Sequence, residues 1–545
     1  MRILSIIIIM LWIGSMCSAQ SFTRQDTLRG SITPERSWWD LTHYDLSIEV
    51  FPEKKFLKGK NTISYKVLEV GQVLQIDLQT PMQITKVMQG EKQLSVKNDG
   101  NAHFVELEKS ATVGSTQSIT VFYEGVPTVS KMPPWEGGLT WQKDINGKDF
   151  IVTTCQGDGA SMWWPCKDHM YDEVDSMIMH FTVPADLFAV GNGRHVGTSA
   201  PEEGKKTYSW KTVNPINNYG VNLNVGDYVH FGESFKGEKR NLDCDYYVLS
   251  YNLEKAKAHF KQVPDMLRAF EHWFGPYPFY EDSYKLVEVP YPGMEHQSSV
   301  TYGNGYKNGY GGRDVSGTGW GMNFDFIIIH ETGHEWFANN ITYKDIADMW
   351  VHEGFTAYSE NLYLDYLHGK KASSEYVIGT RKNIRNQTPI IGHYGVNKQG
   401  SGDMYYKGSN LLHTIRTLID DDEKWRSILR GLNEEFYHAT VTTQQIENYI
   451  IEHSGLALQS VFDQYLRATD IPHFEAIRHK KKLKYRWRSC NEDFDMPYRI
   501  FLDGKPRLLH PTTEWKTFTL PNKRTEIIRD FGFYVKFSVQ EKPKK

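Results

Sequence analysis

Three residues in one short stretch could together cleave a bond with water. His330, Glu331 and His334 all stand in "HETGHEW" (330–336). On an α-helix, residues four apart share a face, so the two imidazoles can point at one ion. Glu331 is turned about 100° around the axis and can reach a water on that ion rather than the ion itself. The preceding "FDFIIIH" is strongly apolar, so this helix is buried, and two buried histidines need partners. A metal ion would be one. A motif this short also arises by chance on solvated helices, and a third ligand decides between the two readings. Glu353 stands nineteen residues after His334, inside the helical pattern "MWVHEGFTAYSENLYLDYL" (349–367). A second helix packed on the first would bring that carboxylate to the ion. Two His and one Glu leave a fourth position open, which is the arrangement of a catalytic zinc and not of a structural one.

The elements that must position these residues follow from the periodicity. From residue 35 to about 240 the chain alternates apolar and polar residues in short runs between Gly, Asn and Pro. Examples are "HYDLSIEVF" (43–51), "NTISYKVLEV" (61–70), "QSITVFYEG" (117–125) and "MIMHFTVP" (177–184). This pattern predicts a large antiparallel β domain. From about 250 the period changes, and "NLEKAKAHFKQVPDMLRAFEHWFG" (252–275) reads as amphipathic helix with Gly at its end. Helical patterns dominate to about 470. After "IPHFE" the alternation returns in "LKYRWRS", "YRIFLDG" and "FGFYVKFSVQ", a small C-terminal β domain. The fold class is thus α+β and multidomain, with an N-terminal β domain over 20–240, a mainly helical domain over 241–472 and a small β domain over 473–545. A glycine-rich stretch (301–321) without Walker spacing precedes the motif helix. It reads either as a mobile surface loop or as a lid or wall beside a cleft.

Composition narrows the partners. The 545 residues are 40 % hydrophobic and 23 % charged, with a formal net charge of -4. That is an ordinary globular balance, and no basic block suggests nucleic acid or a membrane surface. Residues 1–19 combine Arg2, an apolar run and Cys17-Ser18-Ala19, which predicts a signal peptide cut after Ala19. Export to the periplasm or the medium follows, with a lipid anchor at Cys17 as the alternative. No later segment approaches membrane length. Cys155, Cys166, Cys244 and Cys490 remain, too few for a disulfide scaffold. The first two could pair in an oxidising compartment.

The motifs, taken in order, resemble a known family. H-E-x-x-H, eighteen residues, then E within "WVHEGF" is similar to the zinc aminopeptidases of the gluzincin group. "HYDLSIEVFPEKKFLKGKNTISY" resembles the opening of their N-terminal β domain. "CQGDGASMWWPCKD" resembles a later segment of it, "PGMEH" (292–296) their G-x-M-E-N motif, and "MYYKGS" (404–409) their Y-x-K-G segment. The resemblance covers roughly 40 to 470 and implies a thermolysin-like catalytic domain. It implies one zinc ion per chain held by His330, His334 and Glu353, with Glu331 as general base. It further implies that Tyr405 donates to the developing oxyanion and that Glu295 binds the substrate's free α-amino group. Gln156 would be a second anchor for the amine, and Gly293 and Met294 would shape the cleft wall. The substrates would be peptides with a free N-terminus. His296 departs from the family's asparagine and bears on how Glu295 is oriented. The 70 or so residues after "IPHFE" leave no room for the long helical domain of larger members, so an open cleft is expected. Two other readings of the same residues are an endopeptidase, against which Glu295 speaks, and a catalytically silent peptide-binding module, which would be expected to have lost Glu331 or a ligand.

Overall fold

The computed structural model describes residues 21–541; the signal peptide expected over 1–19 and the anchor alternative at Cys17 lie outside that span. The run "HYDLSIEVF" falls in a strand, Trp39–Phe51, whose residues alternate between buried and half-buried. This strand pairs antiparallel with Phe56–Val67 and parallel with Ser176–Pro184. One parallel neighbour therefore interrupts the expected antiparallel sheet. The two parallel strands are far apart in sequence, and the intervening chain builds other strands before it returns, as a parallel pairing requires. The eight-stranded sheet packs with smaller four- and three-stranded sheets around a core that includes Trp39, Tyr44, Leu46, Trp164 and Trp210.

A buried ion pair fixes one edge of this unit. Arg36, fully buried, donates to Asp77 at 2.7 Å. Asp77 also accepts from the Gln75 side chain and from the Asp168 backbone N–H. A buried pair persists only when its remaining lone pairs are so satisfied. The network pins the segment 155–168, which begins beside Gln156.

The second unit starts with a sheet. Tyr228–Lys236 forms a hairpin with Asn241–Leu249, across the position where the sequence pattern changes. The sheet continues through Tyr284–Glu288 and Val300–Tyr302 to the edge strand Gly293–Met294. The predicted helix over 252–275 is present as Leu253–His259 and Val263–Phe274, with a tighter turn at Phe260–Gln262 between them. Pro264 lacks an N–H and fits the first turn of a restarted helix. Gly275, at φ 93°, ends it.

His330 and Glu353 sit on helices Phe326–Gly333 and Trp350–His368, His334 caps the end of the first, and Tyr405 precedes a third, Tyr406–Ile419. The first begins at Asp325, whose carboxylate accepts from the N–H groups of Ile327 and Ile328. The second and third cross where two glycines meet. A Cβ on Gly408 would lie 2.9 Å from the Gly354 Cα, so position 408 does not tolerate a side chain without separating the helices. Two small sheets complete the chain, centred on Phe474, Trp487 and Tyr498. They dock on the helices through Tyr465, which donates to the Tyr534 carbonyl, and Arg381, which donates to the Phe531 carbonyl. Among the described residues, no helix is long and apolar enough to cross a membrane.

The glycine crossing generates a prediction. Gly408→Ala should destabilise the protein by about 1–3 kcal/mol, the usual cost of overpacking. Gly402→Ala, whose Cβ would meet nothing within 4 Å, should be close to neutral. Denaturant midpoints of the two variants check this; equal midpoints would show that the crossing has slack.

Candidate active site

The helix Phe326–Gly333 ends at the second histidine of the motif. Helical geometry breaks down beyond it, with non-helical backbone at Phe337 and Ala338. That break brings the Phe337 carbonyl to 3.0 Å from His334 Nδ1. Thr356 Oγ1 is also 3.0 Å from the same nitrogen. His330 Nδ1 is held at 2.8 Å from Glu360 Oε1, and Tyr376 donates to the other oxygen of Glu360. Both rings are thus oriented through Nδ1, which leaves both Nε2 atoms facing the cleft.

Glu353 meets them there. Its Oε2 lies 3.6 Å from His330 Nε2 and 3.3 Å from His334 Nε2. Among the described residues this buried Oε2 has no hydrogen-bond partner. The candidate ligand atoms of His330, His334 and Glu353 all lie within 4.8 Å of one another. Glu295, Glu331 and His334 form a second such group. The two can be told apart by their imidazoles, two in the first group and one in the second. Glu295 Oε1 accepts from Gln156 Nε2 at 2.6 Å and from the Tyr219 hydroxyl at 3.1 Å. Glu353 Oε2, buried and without a hydrogen-bond partner, is the oxygen that both imidazoles face.

Three glutamates are therefore buried around one point. Burial raises the carboxyls of Glu295 and Glu331. Burial also opposes the ionisation of Glu353, but His334 and His330 beside it hold it well below the usual carboxylate range. Burial pushes His330 down, yet the nearby carboxylate of Glu353 and the hydrogen bond to Glu360 win and raise it. A divalent cation at this point competes with protons for the same nitrogen and oxygen atoms.

The remaining predicted residues converge on the same cleft, which has a volume of about 340 Å³. Gln156 donates to both Glu295 and Glu353 Oε1, the latter at 3.0 Å. Tyr405 and Tyr406 both line the cleft. The Tyr405 ring stacks 6.0 Å from His330, and burial, then the charges of Glu353 and Glu295, push its phenol up. Tyr406 instead feels Glu360 and Tyr310, so Tyr405 is the tyrosine nearer the carboxylate cluster. A Cβ on Gly293 would come within 2.4 Å of Ile327 Cγ2 and 3.2 Å of Glu331 Cγ; its absence lets the edge strand lie against the motif helix. Met294 is buried beside Thr154, 3.1 Å from sulfur to hydroxyl. His296, in place of the family's asparagine, is a buried ring that burial keeps neutral, its pKa pushed down to about 3. Its Nδ1 lies 3.2 Å from Thr301 Oγ1, which in turn donates to the Met294 carbonyl. His296 thus braces the hairpin that carries Glu295. Cys155 and Cys166 are buried and unpaired.

Several lining residues escaped the sequence reading. Glu360 lies seven positions after Glu353, two helical turns on the same face, and that spacing could have flagged it. Phe326 lies one turn before His330 and stacks on it at 5.2 Å. Tyr219 and Trp135 come from the N-terminal unit and carry no local signal. The glycine-rich stretch is a wall: Tyr310 and Val315 line the cleft, and Asn304 and Asp314 hold the stretch through hydrogen bonds within it.

Residues 258–465 match the Peptidase family M1 domain, and residues 41–219 match the Peptidase M1 N-terminal domain. Leukotriene A-4 hydrolase of Xenopus laevis is 22 % identical over 338 residues, 58 % of this chain and 52 % of that protein. Tricorn protease-interacting factor F2 of Thermoplasma acidophilum is 20 % identical over 370 residues, 65 % of this chain and 44 % of that one. The chain spans about half the length of these curated relatives. An M1 zinc metallopeptidase from Deinococcus radiodurans, solved as a substituted form bound to a Tyr-Ser-Ala substrate, superposes with a TM-score of 0.68 at 20 % identity. The match covers 80 % of this chain and 96 % of that one, and it establishes the fold. The matched regions take in most of the sequence, and the chain belongs to peptidase family M1. Zinc is the cofactor this membership implies. The residues fit it: two imidazoles with free Nε2 atoms, one carboxylate with an unpartnered buried oxygen, and an oriented ring behind each nitrogen.

Metal analysis should therefore find about one zinc per chain. Glu353→Gln should lose it on dialysis with the circular dichroism unchanged. Glu360→Ala should lower zinc affinity by about 10–100-fold in competition with a chelator, as expected when an orienting partner is lost. Zinc retained at full occupancy by Glu353→Gln would remove Glu353 from the ligand set.

Proposed function

We propose that the chain is a zinc aminopeptidase that releases single residues from the free N-terminus of peptides. The observation that carries this reading is Glu295. It is a carboxylate with 2 % of its surface exposed, facing the cleft and held by Gln156 and Tyr219. Among the described residues no lysine or arginine pairs with it. A buried carboxylate without a cation is costly, and a substrate ammonium supplies one. Its distance from the ligand cluster is short, since an oxygen of Glu295 lies within 4.8 Å of a ring nitrogen of His334. An ammonium on Glu295 therefore stands about one residue from the bond to be cut. An internal segment of a peptide has no charge to offer there.

His330, His334 and Glu353 would hold the zinc, which when bound supplies a Lewis acid that acidifies water and polarises a carbonyl. Glu331 accepts the proton of the attacking water and passes it to the departing amine nitrogen. Burial raises its carboxyl, which strengthens it as a base. The Tyr405 hydroxyl donates to the substrate oxygen as negative charge builds on it. Gln156 keeps its amide on Glu295 and Glu353, and so fixes the distance between the amine anchor and the ligand cluster. The closed contact of Gly293 with Glu331 and Ile327 keeps bulk water from that side of the base.

Glu331→Gln should keep zinc and fold but lose most turnover. Tyr405→Phe should lower kcat by a factor on the order of 10²–10³ with little change in KM; the same loss in Tyr406→Phe and not in Tyr405→Phe would move the role to the neighbour. N-acetylated peptides should be poor substrates, since the lost charge pair costs about 3–5 kcal/mol. Equal cleavage of blocked and free peptides by the unaltered protein would overturn the aminopeptidase reading in favour of an endopeptidase.

A further inference from the structure

The cleft has two chemically different ends. Glu295, Gln156 and Tyr219 make one end polar and anionic. The other end is built from the start of the motif helix, the glycine-rich wall and the start of the helix Tyr406–Ile419. Phe326 and Tyr310 meet there edge to face, with ring centroids 5.2 Å apart. Phe326 in turn lies flat on His330 at 5.2 Å. Val315, Ile327 and Tyr406 complete the lining.

The polarity of the substrate in this cleft is set by its amine. With the ammonium on Glu295, the bond to be cut lies over His330, His334 and Glu353. The chain then continues past Glu331 toward the residues one turn earlier on the same helix, which are Phe326 and Ile327. The side chain of the substrate's second residue therefore lands among Phe326, Tyr310, Tyr406 and Val315. We propose, on the basis of the aminopeptidase reading above, that this wall selects peptides with a large apolar or aromatic second residue and discriminates against an acidic one. Two observations support the selection. Apolar and aromatic surface is favoured by a concave wall of rings in edge and face contact. Every charged side chain that lines the cleft is a carboxylate or a ligand imidazole, with no lysine or arginine among the lining residues. An acidic second residue would meet Glu331 and Glu360 with no lysine or arginine of the lining to answer it.

The wall can present this surface because it is held. Asn304 donates to the carbonyls of Lys307 and Gly309 and to Asp325. Asp314 accepts from the Ser316 hydroxyl and from the Ser316 and Gly319 backbone N–H groups. Tyr310 and its neighbour Arg313 exchange backbone hydrogen bonds at 2.8 and 3.1 Å. These bonds fix the positions of Tyr310 and Val315 before a peptide arrives.

The test uses the zinc-loaded protein and tripeptides Leu-Xaa-Ala, with release of leucine as the readout. With Phe or Leu at Xaa, kcat/KM should exceed that with Ser by about tenfold or more, and Asp at Xaa should be the poorest. Calorimetry with the Glu331→Gln protein should rank the same peptides in the same order without turnover. Tyr310→Ser should bring the Phe-to-Ser ratio down toward unity. Val315→Lys should raise the rate with Asp relative to Ser, a gain that a misfolded variant cannot produce. Release of leucine at equal rates from all peptides overturns the selection while leaving the aminopeptidase standing. Release from none of them, or equal cleavage of N-acetylated peptides, overturns the aminopeptidase and this selection with it.

Discussion

The structure turns on a cluster of buried charge. His330, His334, Glu295, Glu331, Glu353 and Glu360 are all buried, and the first five surround one small volume. Such a set is unstable without a countercharge and a full set of hydrogen bonds. The protein provides the hydrogen bonds from outside the cluster: Glu360 and Tyr376 behind His330, Thr356 and the Phe337 carbonyl behind His334, Gln156 and Tyr219 on the glutamates. What remains open is a cation at the centre and another at Glu295. Zinc, the cofactor that family membership implies, answers the first.

That balance demands close packing of backbone. His330, His334 and Glu353 come from two packed helices, and the separation of these helices is set by glycines. A Cβ at Gly333 would meet Ser359 Oγ at 2.4 Å, so the motif helix lies directly on the helix that carries Glu353. Gly354, the next residue after Glu353, faces Gly408 in the third helix, three residues after Tyr405. The glycine crossings thus place Glu353 and Tyr405 relative to the two histidines. The break after His334 belongs to the same design. A helix that simply continued would keep the Phe337 carbonyl in its own hydrogen-bond ladder, and His334 Nδ1 would lose that acceptor.

Much of this was legible in the sequence, because it lies within single elements. The four-residue spacing of His330 and His334, the apolar run before them and the helical pattern around Glu353 are local signals, and the structure brings all three residues together. The alternating strands of the N-terminal unit were equally plain. The parallel pairing of Trp39–Phe51 with Ser176–Pro184 was not, since strand direction depends on how distant segments meet. Glu360 is readable from its two-turn spacing to Glu353, but its partner is the far side of the His330 ring, which no motif marks. Tyr219, Trp135 and the wall at Tyr310 and Val315 lie far from the motif in sequence and gave no periodic signal. The glycine-rich stretch looked slack by composition; its order comes from Asn304 and Asp314, side chains whose partners only the fold supplies.

The N-terminal β unit is consequently part of the site and more than a scaffold beside it. Gln156 belongs to that unit, yet it bonds Glu295 and Glu353 in the other one. Its segment is tied back by Ser161, which donates to Asp168 through both its backbone N–H and its hydroxyl, and by Asp77, which accepts from Asp168 N–H and pairs with Arg36. The buried Arg36–Asp77 pair contributes little to stability alone, since well-packed apolar residues of similar volume often do as well. Its use here is geometric. An ion pair holds a fixed direction where an apolar contact can slide, and through the Asp168 N–H it holds the segment that follows Gln156. A small rotation between the two units would pull Gln156 off one glutamate or the other, and the spacing of Glu295 from Glu353 would no longer be set. That spacing is therefore held by the interface between the two units as much as by the motif helix itself.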